Sequence, residues 1–199
     1  MNVLAFSDLH HSKAKAEALV SMSQDADLVI GAGDFCNMRE GLDDAMRMLD
    51  GIGCPMVVVP GNAESAEELR DATRAGTIVL HGEGTESGGL CLFGLGYGVP
   101  VTPFGPWSCD LDEAAAAAML QRCQAADILV THSPPKGVAD ATSNGMSVGS
   151  ESIREAIERI QPKLALCGHI HDSWGRSGQI GKPQVCNLGP SGRVFEIEP

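Results

Sequence analysis

Short apolar runs alternate with amphipathic segments along this chain, and the alternation predicts its secondary structure. Eight runs have the length, β-branched residues and flanking glycines of buried strands, at 2–7, 28–31, 56–60, 78–80, 90–94, 128–131, 164–167 and 185–188. Five segments between them predict helices, at about 12–23, 40–51, 64–75, 110–125 and 150–160. The fourth helix opens with Asp110-x-x-Glu113, the pattern of a capping box.

The order of these elements is β-α-β-α-β-α-β, then a hairpin-like β region, then β-α-β-β-β, which predicts a layered α/β domain with loops at its sheet edges. At 199 residues, with 43% hydrophobic and 20% charged side chains, we expect one domain over residues 1–199. The Gly- and Pro-rich segment 82–109 is predicted to be a long, partly ordered surface loop. It either lines a site or partner surface, or is an irregular connection anchored by Trp107.

Charge and composition exclude several classes of partner. The net charge is −12, and no run of Lys or Arg exceeds one residue, so we expect no non-specific binding to nucleic acid or anionic membranes. No apolar window approaches the roughly 18 residues of a membrane span, and the N-terminus lacks the pattern of a leader. Seven scattered cysteines without C-x-x-C spacing suggest reduced thiols in a cytoplasmic protein.

Polar motifs follow five of the predicted strands, where ligands gather in open α/β sheets. They are Asp8-Leu9-His10, Gly33-Asp34, Gly61-Asn62, His132 and Gly168-His169-Ile170-His171. A solvated loop or an ordinary buried histidine explains any one of them; the ordered set predicts a dinuclear metal site. Asp8 and His10 lie two positions apart, so both side chains can point the same way only if the chain is still extended there. Four histidines and two carboxylates suit Mn, Fe, Zn or Co better than Mg.

The motif set resembles that of the calcineurin-like metallophosphoesterase superfamily, over nearly the full length of the chain. The matching segments are S-D-L-H (7–10), G-D-F-C (33–36), G-N-A-E (61–64), T-H-S-P-P (131–135) and G-H-I-H (168–171). The resemblance implies a four-layer αββα sandwich with two mixed β-sheets. It also implies two cations bridged by Asp34, one held with Asp8, His10 and His171, the other with Asn62, His132 and His169. The implied activity is phosphoester hydrolysis by a hydroxide that bridges the two cations.

Ala63 departs from the pattern of many relatives, in which a histidine after the ligand asparagine steadies the phosphate and protonates the leaving oxygen. Loss of a general acid typically costs about 10²–10⁴-fold in rate. A small phosphodiester with a good leaving group suffers least, so the sequence predicts a phosphodiesterase. Compact members of the superfamily without this histidine are associated with such activity or with scaffolding. The alternatives are therefore a catalytically weakened scaffold or binding protein, and a phosphomonoesterase or protein phosphatase.

Other polar residues are weaker candidates for roles at the site. His11, Glu64 and His81 could replace the missing acid. However, His11 is expected to point away from the cations, and Glu64 is better explained by the N-terminus of the following helix. Asp172 is either a partner that orients a metal-bound imidazole or a turn residue. Arg39 and Arg193 could contact a phosphate, although exposed structural roles are favoured for both.

Overall fold

A computed structural model describes residues 1–198. In chain order its elements are β1 (Asn2–Phe6), α1 (Lys13–Met22), β2 (Leu28–Gly31), α2 (Leu42–Arg47), β3 (Met56–Val58), α3 (Ala66–Ala72), β4 (Thr77–Val79), β5 (Glu83–Ser87), β6 (Leu90–Leu95), α4 (Glu113–Leu120), β7 (Ile128–Thr131), α5 (Glu151–Ile160), β8 (Leu164–Cys167), β9 (Ser177–Gln179), β10 (Gln184–Asn187) and β11 (Arg193–Glu196). Two 3-10 turns, Ser23–Asp25 and His171–Ser173, complete the set.

The strands form two mixed sheets. The first has the order β11-β1-β2-β3-β4, in which β1 to β4 are parallel and β11 is antiparallel to β1. The second has the order β5-β6-β7-β8-β10-β9, in which the four central strands are parallel and the two edge strands antiparallel. Central parallel strands are buried on both faces, which explains their continuous apolar sequences.

Three apolar clusters define the layers. One lies between the sheets and joins Val3 and Ile30 of the first to Val130 and Leu166 of the second. The second cluster packs the outer face of the first sheet against α1, α2 and α3. The third packs the outer face of the second sheet against α4 and α5. The predicted four-layer αββα fold is therefore confirmed.

The eight predicted strands and five predicted helices are all present, with ends that shift by a few residues. Three strands have no predicted range, β5, β9 and β11, although the predicted order does include a hairpin-like β region before β7. Each lies at a sheet edge and is largely exposed, so its sequence lacks an apolar run. Within residues 1–198 no helix is long and apolar enough to cross a membrane, and none of the seven cysteines is disulfide-bonded.

The prediction that 82–109 is one long loop is wrong for its first half. β5 and β6 form a hairpin there, with Ser87 opposite Leu90. The two residues between them, Gly88 and Gly89, both have positive φ, as a tight hairpin turn requires. Only 96–109 is irregular, and we call this stretch the 96–109 loop.

The predicted capping box at Asp110 is also wrong. The N-cap of α4 is Asp112, whose carboxylate accepts a hydrogen bond from the amide of Ala115 at 2.7 Å. Glu113 instead accepts from the amides at the start of α5, including that of Ser152 at 2.9 Å. Both acids thus satisfy free helix N–H groups, one on its own helix and one on the neighbouring helix.

Candidate metal centre

The predicted ligands meet where parallel strands of both sheets end. β1, β2 and β3 of the first sheet and β7 and β8 of the second run into the five motif loops. Backbone hydrogen bonds tie the loops together, from Asp8 to Gly33 at 2.9 Å and from Gly168 to His132 at 2.9 Å. The fold therefore brings side chains from positions 8 to 171 to a single site.

Two groups of donor atoms lie side by side at this site. Asp8, His10 and His171 offer atoms that all lie within 4.8 Å of one another. Asp34, His132 and His169 form a second group with the same spacing. These are the groupings that the resemblance implies for the two cations.

Asp34 reaches both groups through different oxygens. Its Oδ2 lies 3.5 Å from Nε2 of His10, and its Oδ1 lies 3.4 Å from Nε2 of His132. Asn62 belongs to the second group, since its Oδ1 is 3.2 Å from the same His132 nitrogen. A buried carboxylate with one oxygen on each group is placed to bridge two cations.

The hydrogen bonds around the second group leave a space that suits a cation. Nδ1 of His132 faces the carbonyl oxygen of Ala32 at 2.8 Å, and a carbonyl only accepts, so Nδ1 carries the proton. The side-chain NH₂ of Asn62 donates a hydrogen bond to the hydroxyl of Ser108 at 3.1 Å. When His132 is neutral, its Nε2 faces Oδ1 of Asn62 and Oδ1 of Asp34, and none of these three atoms carries a proton. These donors fit a divalent metal.

The electrostatics of this buried site also favour positive charge. Burial by itself raises the pKa of Asp34, but the imidazoles of His132 and His10 outweigh it and lower that pKa. For His132 burial lowers the pKa, but the carboxylates of Asp34 and Asp8 outweigh it, so the pKa is raised. Burial and neighbouring His132 lower the pKa of His169 to about 3. Asp34 is thus ionised and His169 neutral, the forms that bind metals.

The loops that present the ligands are strained. Four of the seven predicted ligands, Asp8, His10, Asp34 and His169, have positive φ, between 45° and 68°. Residues other than glycine rarely adopt positive φ, and those that do concentrate at functional sites. The stated condition, that Asp8 and His10 can point the same way only in an extended chain, is therefore wrong. β1 ends at Phe6, and a left-handed turn aims both side chains at the site.

Glycines before the ligands allow the loops to approach closely. A Cβ on Gly61 would lie 2.0 Å from Oδ1 of Asp34, and one on Gly33 would lie 2.6 Å from Nδ1 of His132. Both contacts are impossible, so any side chain at either position would displace a predicted ligand.

Three supporting residues escaped the sequence analysis. The indole of Trp174 donates to Oδ2 of Asp8 at 2.9 Å, and its ring lies 4.3 Å from that of His171. Ser108 holds the amide of Asn62, as described above. Asn187 is buried at the end of β10 and donates to the carbonyls of Gly168 and Ile170 at 3.1 and 3.2 Å. A polar residue ending an apolar strand, as in Val185-Cys186-Asn187, was the available signal for Asn187.

Asp172 takes a structural role. Its Oδ2 accepts from the amide of Ser143 at 2.7 Å, which links two loops, and it orients no imidazole among residues 1–198. A supporting donor is instead supplied by the indole of Trp174, and it acts on the carboxylate of Asp8 and not on an imidazole.

Glu64 has a different role from the predicted one. The helix that follows is capped by Ser65 and Glu68, which form a capping box. The carboxylate of Glu64 is fully buried and accepts from the amides of Gly61, Asp34 and Phe35 at 2.6, 2.8 and 3.1 Å. Glu64 therefore joins two ligand loops to each other.

The other candidates for the missing acid lie away from both donor groups. The ring of His11 packs 3.3 Å from the position of a Cβ on Gly41, at the start of α2. His81 accepts from the amide of Gly96 at 3.2 Å, and its ring packs against that of Tyr97 with the centroids 4.2 Å apart. Ala63 is 2% exposed, so its methyl group packs in the core rather than lining an open site.

The guanidinium groups of Arg39 and Arg193 both have other partners. The guanidinium of Arg39 donates twice to Glu68, at 3.1 and 2.7 Å. That of Arg193 lies over the ring of Phe195 at 5.1 Å. Both therefore have the structural roles that the sequence analysis favoured.

Comparison with known proteins agrees with this geometry. Residues 1–197 match the model of the calcineurin-like phosphoesterase superfamily domain, and the chain belongs to this family, which is metal-dependent. A UPF0046 protein of Caenorhabditis elegans is 27% identical over 196 residues, which cover 88% of this chain and 65% of that protein. Human metallophosphoesterase domain-containing protein 1 is 35% identical over 86 residues, 40% of this chain and 26% of the human protein. A second UPF0046 protein of Caenorhabditis elegans is 40% identical over 50 residues, 25% of this chain and 13% of that protein.

Solved structures share the fold at low identity. A Thermus thermophilus protein superimposes with a TM-score of 0.75 at 18% identity, over 96% of this chain and 90% of its own. A dimetal phosphatase from Danio rerio gives 0.63 at 13% identity, over 96% and 88%. Phosphopantetheinyl hydrolase from Mycobacterium tuberculosis gives 0.60 at 14% identity, over 100% and 96%.

Proposed function

We propose that this protein hydrolyses phosphodiesters with the help of two divalent cations. One observation carries the proposal: Asp34 places one carboxylate oxygen beside each of two adjacent donor groups. Asp8, His10 and His171 would hold one cation with Asp34, and Asn62, His132 and His169 would hold the other. When bound, such a pair neutralises the phosphoryl oxygens and activates a water.

The surroundings of Ala63 support the preference for diesters. The methyl group at this position donates no proton, and the carboxylate of Glu64 is enclosed by backbone amides. His11 and His81 lie elsewhere. Without a proton donor from these residues, substrates whose leaving oxygen departs as a stable anion react best, whereas alkyl monoesters need the missing acid.

The test measures metal content and turnover together. Metal-depleted protein is reloaded with Mn²⁺ and assayed on bis(p-nitrophenyl) phosphate, on p-nitrophenyl phosphate, a monoester with the same leaving group, and on an alkyl phosphomonoester. We expect two ions per chain and faster turnover of the diester. Absence of turnover with any first-row metal at full loading would refute the enzymatic proposal in favour of a scaffold. Faster hydrolysis of either monoester would refute the preference.

A pair of variants tests the placement of the site. Asp34→Asn should lower kcat/KM on the diester by more than the 10- to 100-fold typical of losing a residue that only supports a ligand. Asp43→Asn, which removes the same charge from an exposed position on α2, should leave kcat/KM unchanged. Equal activities of the two variants would contradict the assignment of Asp34.

A further inference from the structure

A cavity of about 470 Å³ adjoins the candidate metal centre. The first part of the 96–109 loop lines this space with Val99, Pro100 and Phe104, and Val148 adds further apolar lining. His169, a predicted ligand of the second cation, also lines it, together with Ile170. The space therefore adjoins the metal centre, and most of its lining is apolar.

Phe104 offers a flat surface in the lining of this cavity. Its ring stacks on that of Trp107, with centroids 5.7 Å apart and an interplanar angle of 9°. The centroid of its ring lies 6.3 Å from that of the His169 imidazole. Yet half of its surface is exposed, at 50%. A large apolar side chain that packs on an aromatic partner and is left open to a cavity resembles a binding platform more than a part of the core.

The charge of the cavity differs from that of the whole protein. The chain carries a net charge of −12, but no carboxylate lines this space among the residues described. Among the residues described, one lysine or arginine lines the cavity. This residue is Lys136, whose ammonium donates to the carbonyl of Ser147 at 2.8 Å. An ester that carries negative charge on its phosphate thus meets no repulsion on entering.

We propose that this cavity binds the organic group of the substrate and selects a planar, aryl or heteroaryl group, which stacks on Phe104. The inference rests on the proposed function, since it takes the phosphate to lie at the two donor groups. An ester group that leaves the phosphorus on the His169 side then enters the cavity directly. Phe104 is a specificity-determining residue here: it contacts the organic group and takes no part in bond cleavage.

The test uses two phosphonates that cannot be hydrolysed, phenylphosphonate and methylphosphonate, and measures their binding to Mn²⁺-loaded protein by calorimetry. We expect the phenyl compound to bind about 10-fold more tightly, as stacking with burial of an aromatic ring provides. Phe104→Ala should remove the difference. Phe104→Leu, which keeps apolar volume without a flat face, should remove most of it, whereas Phe104→Tyr should keep it. Val194→Ala, a half-exposed apolar residue on β11, serves as the control that leaves binding unchanged.

The outcomes separate this proposal from the proposed function. Equal binding of the two phosphonates to wild-type protein, or an unchanged preference in Phe104→Ala, overturns the cavity's role while diester turnover still supports the hydrolase. A phenyl preference that depends on Phe104, in protein that hydrolyses no ester, supports the cavity and refutes the activity. Failure of both phosphonates to bind metal-loaded protein overturns the cavity proposal outright.

Discussion

Replacing Glu64 by glutamine should destabilise the fold, because its carboxylate holds two ligand loops together from a fully buried position. Three backbone amides donate to it, those of Gly61, Asp34 and Phe35, at 2.6 to 3.1 Å. Glutamine keeps one acceptor oxygen and replaces the other by an NH₂ group that faces N–H donors. At least one buried amide then loses its partner, which costs about 1–3 kcal/mol.

We expect a loss of about 1–3 kcal/mol in the free energy of unfolding when the two proteins are compared with Glu64 neutral, so that only an acceptor is lost. For a chain of this length each kcal/mol lowers the melting temperature by about 2–4 °C, so the shift should be about 2–12 °C. Burial and, next, the charge of Asp34 raise the pKa of Glu64 to about 7, so ionisation of Glu64 in the fold costs stability as the pH rises from 4.5 towards 7. Thermal unfolding should therefore be followed by calorimetry near pH 5, where Glu64 is protonated in the fold and this cost is small.

Glu67→Gln is the matched control, since it makes the same replacement at an exposed position in the first turn of α3. Surface changes of this kind usually stay within about 0.5 kcal/mol. If the two variants melt within about 1 °C of each other, the amide contacts of Glu64 contribute no net stability and the reasoning fails.

Two further changes test the position without a histidine and the surroundings of the 96–109 loop. Ala63→His should raise turnover of an alkyl phosphomonoester by about 10²-fold. Ala63→His should also lower the melting temperature, because position 63 is 2% exposed and overpacking costs about 1–3 kcal/mol. The control Ala63→Leu should reproduce only the destabilisation. An unchanged monoester rate in Ala63→His would mean that the proton comes from elsewhere. Burial and, to a lesser extent, Arg70 lower the pKa of His81 from 6.5 to about 4, so the folded protein favours the neutral ring. The stability that comes from this preference is complete above pH 6.5 and is lost as the pH falls towards 4. In denaturant unfolding, His81→Gln should lose less free energy of unfolding over this pH range than wild type. Identical losses would contradict the lowered pKa of His81.

The fold, and the fact that the predicted ligands lie close together, could be predicted from the sequence because each of these residues follows a buried strand of a parallel array. His132 after Ile128–Thr131 is typical: an apolar run fixes the strand, and the strand fixes where the imidazole lies. The edge strand β11 was missed because exposed edges carry no such run.

Supporting contacts were missed for a different reason, since they join residues that are far apart in sequence. Trp174 and Asp8 are 166 positions apart, and no local pattern connects an indole to a carboxylate at that separation. Glu64 was misassigned because an acid just before a helix has an adequate local explanation. The partners of Glu64 are backbone amides of two loops, one after β2 and one after β3. They become apparent only when the fold brings the Gly33-Asp34 loop next to Glu64.

The 96–109 loop carries two contacts that lie only a few residues apart. Phe104 faces the apolar cavity, and Ser108 accepts the hydrogen bond that turns the amide oxygen of Asn62 towards His132. Asp110 connects the two parts, because its carboxylate accepts from the hydroxyls of Thr102 and Ser108, both at 2.9 Å. A ring that holds this loop in place would also hold an oxygen donor of the second cation in place. Thermodynamic reciprocity then requires that the cation raise the affinity for the ring by the same factor by which the ring raises the affinity for the cation.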